Sequence, residues 1–311
     1  MAVNNSLQKS QKRLGIGSYL TGDAVKQRIN QVIGGKDGQR FISAVVSAVQ
    51  TNPGLQECTN QSILSAALLG ESLKLSPSPQ LGQYYMVPFN DRERGKVAQF
   101  QLGYKGYIQL AIRSGQYKKL NVLAIKDGEL IKFDPLNEEI EVRLIEDEEA
   151  REAAETIGYY AMFEYTNGFR KAIYWSKKKM LAHADKYSQA FSANGGTVKT
   201  KYGEKTKVSY SDYVTGNFDP KDAWMYSSFW YKDFDGMAYK TMLRQLISKW
   251  GIMSIDMASA IDADMAVINE DGTKDYVGND PDVIDMEPVT EPAHEAPAEN
   301  IQSALFGGDG Q

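Results

Sequence analysis

One cysteine, Cys58, and two histidines, His183 and His294, are all the thiol and imidazole ligands that 311 residues hold. A single cysteine excludes a disulfide framework within one chain, and three such widely separated residues are too few for a zinc site. No stretch reaches the roughly 18 consecutive apolar residues of a membrane-spanning helix. The opening MAVNNSLQKSQKRLG holds no apolar run of signal-peptide length. These absences predict a soluble protein of a reducing cytoplasm. The pattern GxxxxGK[ST] occurs nowhere, and Gly34-Gly35-Lys36 and Gly15-Ile16-Gly17 lack the spacing that wraps backbone amides around a triphosphate. That excludes the ATP-driven strand-exchange and helicase classes. A metal-dependent nuclease needs carboxylates converging on a hard cation, and Asp233/Asp235, Glu138/Glu139 and Asp262/Asp264 have no spacing that marks such a site. No catalytic residue, metal ligand or required cofactor is assigned, and an effect of magnesium is left open.

Charge is present but uneven. The net charge is -5, yet from Asp262 to Gln311 there are 13 acidic residues against Lys274 alone, while the preceding chain carries 34 Lys+Arg against 27 Asp+Glu. Residues 138–155 form a second acidic patch of nine acids and two arginines. A basic body beside an acidic tail suits a nucleic-acid binder, and equally an ordinary domain with a solvated tail.

Periodicity predicts a mixed α+β fold. The first 35 residues read as a polar arm with a short helix at 24–33, and residues 37–50 and 60–73 as a helical pair, the second capped by Thr59 or Asn60. Residues 83–89 and 97–102 alternate as strands before a helix at 106–113. Two hairpins are signalled, one at Asp127-Gly128 between 122–126 and 129–133, the other at Asn167-Gly168 between 159–165 and 170–175. Ser176 caps a helix to Tyr187, residues 188–220 read as a basic loop, and Trp224–Trp250 as one long aromatic-rich helix closed by Gly251. The expectation is a central antiparallel sheet with hairpins packed by helices. It divides into an N-terminal arm, the candidate for self-association (1–35), a folded core that carries the basic segments (36–265) and a disordered acidic tail (266–311), the last too poor in large apolar residues to offset its ordering entropy.

Three segments combine cations with aromatics. Gly103-Tyr104-Lys105-Gly106-Tyr107, at a strand-to-helix junction, offers free amides and Lys105 to a phosphate and the flat faces of Tyr104 and Tyr107 to a base; Arg113 and Lys118 extend the track. A tight turn with its tyrosines in the core fits the same spacing. The second cluster contains Arg170, Lys171, Lys177, Lys178, Lys179 and Lys186, and continues through Lys199, Lys201, Lys205 and Lys207. Within it Phe191, flanked by polar residues, is predicted to be exposed and to insert between bases. A solvated loop has the same composition, and in either case such a loop contacts backbone rather than reading sequence. Third, Lys240 and Arg244, at i and i+4, share a helix face that either lines a DNA groove, with Lys249 further on, or is solvated and paired with acids.

GYKGYIQLAIRSG and the distal WMYSSFWYKDFDGMAYKTMLRQLISKW together resemble the RecT family of phage single-strand annealing proteins, related more distantly to the Redβ proteins. The resemblance spans about Ser62–Ile255, with the pattern Met-Ala-x-Lys-Thr-x-x-Arg standing at Met237–Arg244. It implies ATP-independent annealing of single-stranded DNA in recombination inside a bacterial host cell, without covalent catalysis. It also implies assembly into rings or helical filaments, a partner exonuclease and contact with a host single-strand-binding protein. Lys105, Arg113, Lys240 and Arg244 become DNA-groove positions on this likeness. A DNA-associated structural or packaging oligomer without annealing activity is the alternative. Ile301–Phe306, an apolar patch after an acidic linker, is either a docking peptide or part of a tail whose charge discourages off-target binding.

Overall fold

The structure, a computed structural model, describes residues 14–276 apart from 92, 189, 201 and 202. Helices come first: α1 (Ile16–Thr21), α2 (Asp23–Ile33), α3 (Gly35–Gln50), α4 (Pro53–Gln56) and α5 (Asn60–Ser72). Gly22 and Gly34 separate the first three. In α2, Val25, Ile29 and Ile33 recur every four residues and face inward, with Ile29 fully buried. In α3, Phe41, Val45, Ala48 and Val49 do the same. The run SILSAALLG makes α5 the most enclosed of these helices, and the Thr59 hydroxyl caps it by accepting from the Ser62 amide. The segment predicted as a polar arm therefore contributes to the core from residue 16 onward: Leu20 and Ile29 find apolar partners on α3 and α5 that a window of local sequence does not include.

β1 (Tyr84–Asp91) and β2 (Gly95–Leu102) form a hairpin with Tyr84 opposite Leu102, and α6 (Tyr104–Ser114) follows. Next come β3 (Tyr117–Lys126), β4 (Leu130–Asp134), β5 (Glu139–Val142), α7 (Glu148–Ala153), β6 (Thr156–Tyr165), β7 (Arg170–Ser176) and α8 (Lys177–Tyr187). The hairpin predicted at Asn167-Gly168 joins β6 to β7. The one predicted at Asp127-Gly128 does not form. Gly128 does turn the chain, at φ 84°, but β3 pairs with β6, and β4 pairs with β5. β6 presents buried Tyr159, Ala161, Phe163 and Tyr165, whereas β4 belongs to an acid-rich excursion with little to bury. Glu129 anchors that excursion: fully buried, it accepts from Arg151 Nε at 2.7 Å and from the amides of Lys126 and Ile145. Burial opposes its ionisation, but Arg151 and the two amides hold its pKa below the usual carboxylate value.

The chain continues through β8 (Gly196–Thr200), β9 (Gly203–Lys207), α9 (Tyr210–Val214), a 3-10 turn at Pro220–Tyr226, α10 (Phe229–Lys232), α11 (Phe234–Trp250) and α12 (Ile255–Ala263). The expected helix Trp224–Trp250 is thus broken, because Ser228 and Asp233 each use their side chains to cap a new start, accepting from the Trp230 and Gly236 amides. β10 (Ala266–Ile268) and β11 (Lys274–Tyr276) then extend the β1–β2 sheet, with Ala266 opposite Phe100. The expected start of a disordered tail at 266 is therefore too early. Ala266, Val267 and Ile268 are buried, and three consecutive apolar residues beside an unpaired strand edge are enough to order the segment. Residues 277–311 lie outside the described part.

The fold is α+β, with antiparallel sheets packed by helices. Two hydrophobic clusters share it. The first is mainly aliphatic and joins α1–α6 to β1, β2 and β10; the second is aromatic and fills the space between β3–β6–β7, α8 and α9–α11. α11 serves both, giving Leu243 and Ile247 to the first and Ala238, Met242 and Leu246 to the second.

Candidate nucleic-acid interface

At the start of α6 the glycines have a packing role. A Cβ on Gly103 would lie 2.2 Å from the Gly82 carbonyl oxygen, and one on Gly106 2.1 Å from that of Gln83. Only hydrogen fits where the helix crosses the backbone entering β1. Tyr107 is fully buried, which corrects its placement as a base platform. Tyr104 is half-buried and meets Tyr239 edge-on at 5.6 Å. Lys105 is exposed and flanks Gly82 together with the Tyr85 hydroxyl, and the Tyr85 ring lies 5.5 Å from that of half-exposed Phe229. Arg113 turns back to donate to the carbonyls of Leu73 (2.5 Å) and Lys74 (3.4 Å), satisfying the C-terminus of α5. Lys118 pairs with Glu164 at 2.5 Å, with Lys119 behind it; Lys118 foremost holds the Glu164 pKa below its usual value.

Lys240 and Arg244 do share a face, but it points inward. Lys240 Nζ donates to Asp264 Oδ1 at 2.9 Å and Arg244 Nη1 to Asp264 Oδ2 at 2.8 Å, and the Leu102 amide also donates to Oδ1 at 2.8 Å. The Asp264 side chain has no exposed surface. One carboxylate thus ties α11 to the end of β2, just before α6. The groove reading of this pair is corrected: the acid that meets it lies 20 residues further along the chain from Arg244, where helical spacing gives no hint of it.

Phe191 is also interior, 4% exposed, with its ring 4.8 Å from Tyr231 and 5.6 Å from Tyr210. The segment predicted to project instead folds back, because Lys207 Nζ donates to the Ala190 carbonyl at 2.7 Å and the Tyr231 hydroxyl accepts from the Ser192 amide. Burial pushes the Lys207 pKa down. Lys199 lies in β8 and its side chain is not described; Lys201 is outside the described residues.

Cations and rings do converge at α8, β7 and the end of α11. Lys179, His183 and Lys186 form one stripe of α8 at i, i+4 and i+7. Lys179 Nζ stands 4.3 Å over the Trp175 ring and Lys186 Nζ 4.8 Å over that of Tyr187, and His183 touches both rings, at 5.3 and 4.6 Å. On the same face of β7 as Trp175, Lys171 lies 3.8 Å from the ring of half-exposed Trp250 and pairs with Glu138. Lys249 joins the group: burial lowers the Lys179 pKa, and Lys249 lowers it further. Lys178, Lys179, Lys186 and Lys249 are exposed, and among the described residues none has a carboxylate within ion-pair distance. Arg170, also exposed, is on the opposite face of β7, 3.5 Å from the Tyr160 hydroxyl.

The sequence points to Lys178, Lys186 and Lys249 and to Tyr187 among the aromatics interleaved with the basic cluster, but not to Trp175 under Lys179 or Trp250 under Lys171. The Lys179–His183–Lys186 stripe is readable in the spacing. The contact between Trp250 and Lys171, far apart along the chain, is not. Among the described residues no helix is long and apolar enough to cross a membrane, and no group of three or more His, Cys, Asp or Glu is placed to hold a metal ion.

Comparison with known proteins agrees with the motif resemblance. The RecT family matches residues 39–278. A Bacillus subtilis (strain 168) protein named "Uncharacterized protein YqaK" is 35% identical over 309 residues, 96% of this chain and 90% of that protein. "Protein RecT" of Escherichia coli (strain K12) is 33% identical over 116 residues, 36% of this chain and 43% of that protein. The matched span contains the second core, most of the first, the Asp264 junction and the lysine–aromatic surface, and the chain belongs to the RecT family.

Proposed function

We propose that this protein holds single-stranded DNA by its backbone and pairs it with a complementary strand without ATP, acting as an oligomer in recombination. The observation that carries this is a set of exposed lysines without a carboxylate in ion-pair distance among the described residues: Lys179 over Trp175, Lys186 over Tyr187 and Lys249 beside Trp250, with Lys178 on the same helix α8. Unpaired ammonium groups release counterions on meeting phosphates, and the rings accept bases regardless of sequence. Pairing itself is downhill, since duplex stacking contributes about 1.4 kcal/mol per step. The protein need only extend one strand and reduce phosphate repulsion toward the next. One such surface covers a few nucleotides, so a continuous track requires neighbouring copies in a ring or filament. A partner exonuclease would supply the strand, and host single-strand-binding protein would compete for it.

The test is annealing of two labelled complementary oligonucleotides without nucleotide cofactor, with and without magnesium. A Lys178→Ala/Lys179→Ala/Lys186→Ala/Lys249→Ala variant, checked for folding by circular dichroism, runs beside the parent. The parent is expected to accelerate pairing and to lose activity as salt rises. The variant's log-log salt slope for single-strand binding should be shallower by about 3, at roughly 0.7 for each phosphate that is no longer neutralised. A folded variant that anneals like the parent at every salt concentration would remove this surface from the mechanism. A parent that forms large particles without speeding pairing would favour a structural or packaging role.

A further inference from the structure

Where α6 ends, the β6–β7 turn and the connection from α11 to α12 meet it, and this end of the fold carries large apolar side chains open to solvent. Ile112, Phe169, Ile252, Met253 and Ile255 are 61%, 47%, 46%, 39% and 89% exposed. Their positions are tied together. The Phe169 ring stacks on that of Tyr165 at 5.9 Å, the Ile252 amide donates to the Tyr165 hydroxyl, and the Thr166 amide donates at 3.1 Å to the carbonyl of Gln116, just beyond α6. α12, which begins at Ile255, packs on α6. Single exposed apolar residues are ordinary, whereas a contiguous group marks a contact surface. At about 150–250 Å² for a large side chain fully open, the five expose on the order of 500 Å². A standard interface takes about 800 Å² from each partner, about 65% of it apolar between identical chains. The patch therefore has the size of one half of such a contact.

The rim says which partner fits. Lys74, whose carbonyl accepts from Arg113 next to Ile112, and Asp256, next to Ile255, are both exposed, and neither has an opposite charge within ion-pair distance among the described residues. A patch with one free cation and one free acid at its rim is complementary to itself. We infer that two copies of this chain pair through this patch about a two-fold axis, apolar face on apolar face, with Lys74 of each copy meeting Asp256 of the other. Trp250, two residues before Ile252 and under Lys171, borders both this patch and the lysine–aromatic surface, so pairing sets two such surfaces side by side. A two-fold axis also relates the two backbones of an antiparallel duplex, and paired copies thus present two strands in the opposed directions that pairing requires. That consequence rests on the function proposed above; the contact between copies does not. Because a two-fold contact closes on itself, growth into a ring or filament takes a second contact elsewhere on the chain.

Sedimentation velocity of the full chain without DNA, over a dilution series, tests the contact. The parent should sediment as a pair or a multiple of pairs. Ile255→Asp, at an exposed position and checked for folding by circular dichroism, should raise the dissociation constant of the pair by roughly tenfold or more. Val214→Asp, also open to solvent but on α9, should leave it unchanged. Lys74→Glu and Asp256→Lys should each weaken pairing, and the two together in one chain should restore it, a rescue that a docking site for a different partner would not give. A parent that remains a single chain at every concentration, an Ile255→Asp variant that pairs like the parent, or a charge exchange without rescue overturns the proposal. A parent that pairs as expected and does not speed annealing leaves the contact standing and removes the function proposed above.

Discussion

Lys240 and Lys249 both lie on α11 and meet opposite surroundings. At the first, two cations close on Asp264 in the interior and join the helix to the end of β2. At the second, Lys249 and Lys179 are both exposed, the charge of Lys249 lowers the Lys179 pKa, and neither has a carboxylate within ion-pair distance among the described residues. Type of residue and helical spacing do not distinguish the two. What does is whether the fold brings an acid to the cation. A cation compensated inside the fold is committed to stability, and one left beside a like charge is available to an anionic ligand.

Breaking the inner junction should have the largest effect. Asp264→Ala removes the carboxylate that the buried Lys240 meets and is expected to cost about 3–5 kcal/mol, measured as a lower urea midpoint at an unchanged m-value. An Asp264→Ala protein as stable as the parent, but impaired in DNA binding, would return Lys240 and Arg244 to the groove. Phe191→Ala sharpens the comparison from the aromatic side. Truncation of this buried phenylalanine is expected to cost about 3–4 kcal/mol, while the folded fraction keeps its affinity for single strands. Retained stability with reduced affinity would instead restore Phe191 as an intercalating residue.

Glu164 lies between these extremes, because it pairs Lys118 and Lys119 at the surface. Glu164→Gln should free both lysines and give a small gain in single-strand affinity that disappears at high salt. The pH dependence follows from the direction of the shift. The folded pKa of Glu164 is depressed, so its contribution to stability is present above the ordinary glutamate value and is lost as pH falls through the folded value. Glu129, depressed in the same sense, adds to the loss. Thermal midpoints of the parent should therefore fall as pH drops below the usual carboxylate range, and the Glu164→Gln variant should lose less over that interval.

Elements with a strong local signal are legible in the sequence. The Asn167-Gly168 turn, the Ser176 cap and the two strands before α6 form where periodicity places them, because each depends on neighbours within a few residues. The Asp127-Gly128 turn misleads because a turn dipeptide fixes where the chain bends and not which strand it then meets. For the site, the lysines of α8 can be read from composition. The rings that give them a surface cannot, since Trp250 reaches Lys171 only through the docking of α11 against β7.

By itself, the sequence determined the fold class, the family and the uneven charge of body and acidic segment, all of which follow from composition, short-range periodicity and motif. Tertiary structure alone decided which cations are compensated. Charge pairing is a matter of distances of a few ångströms between residues such as Lys240 and Asp264 or Lys118 and Glu164, and the chain between them carries no trace of that pairing until the two cores have packed.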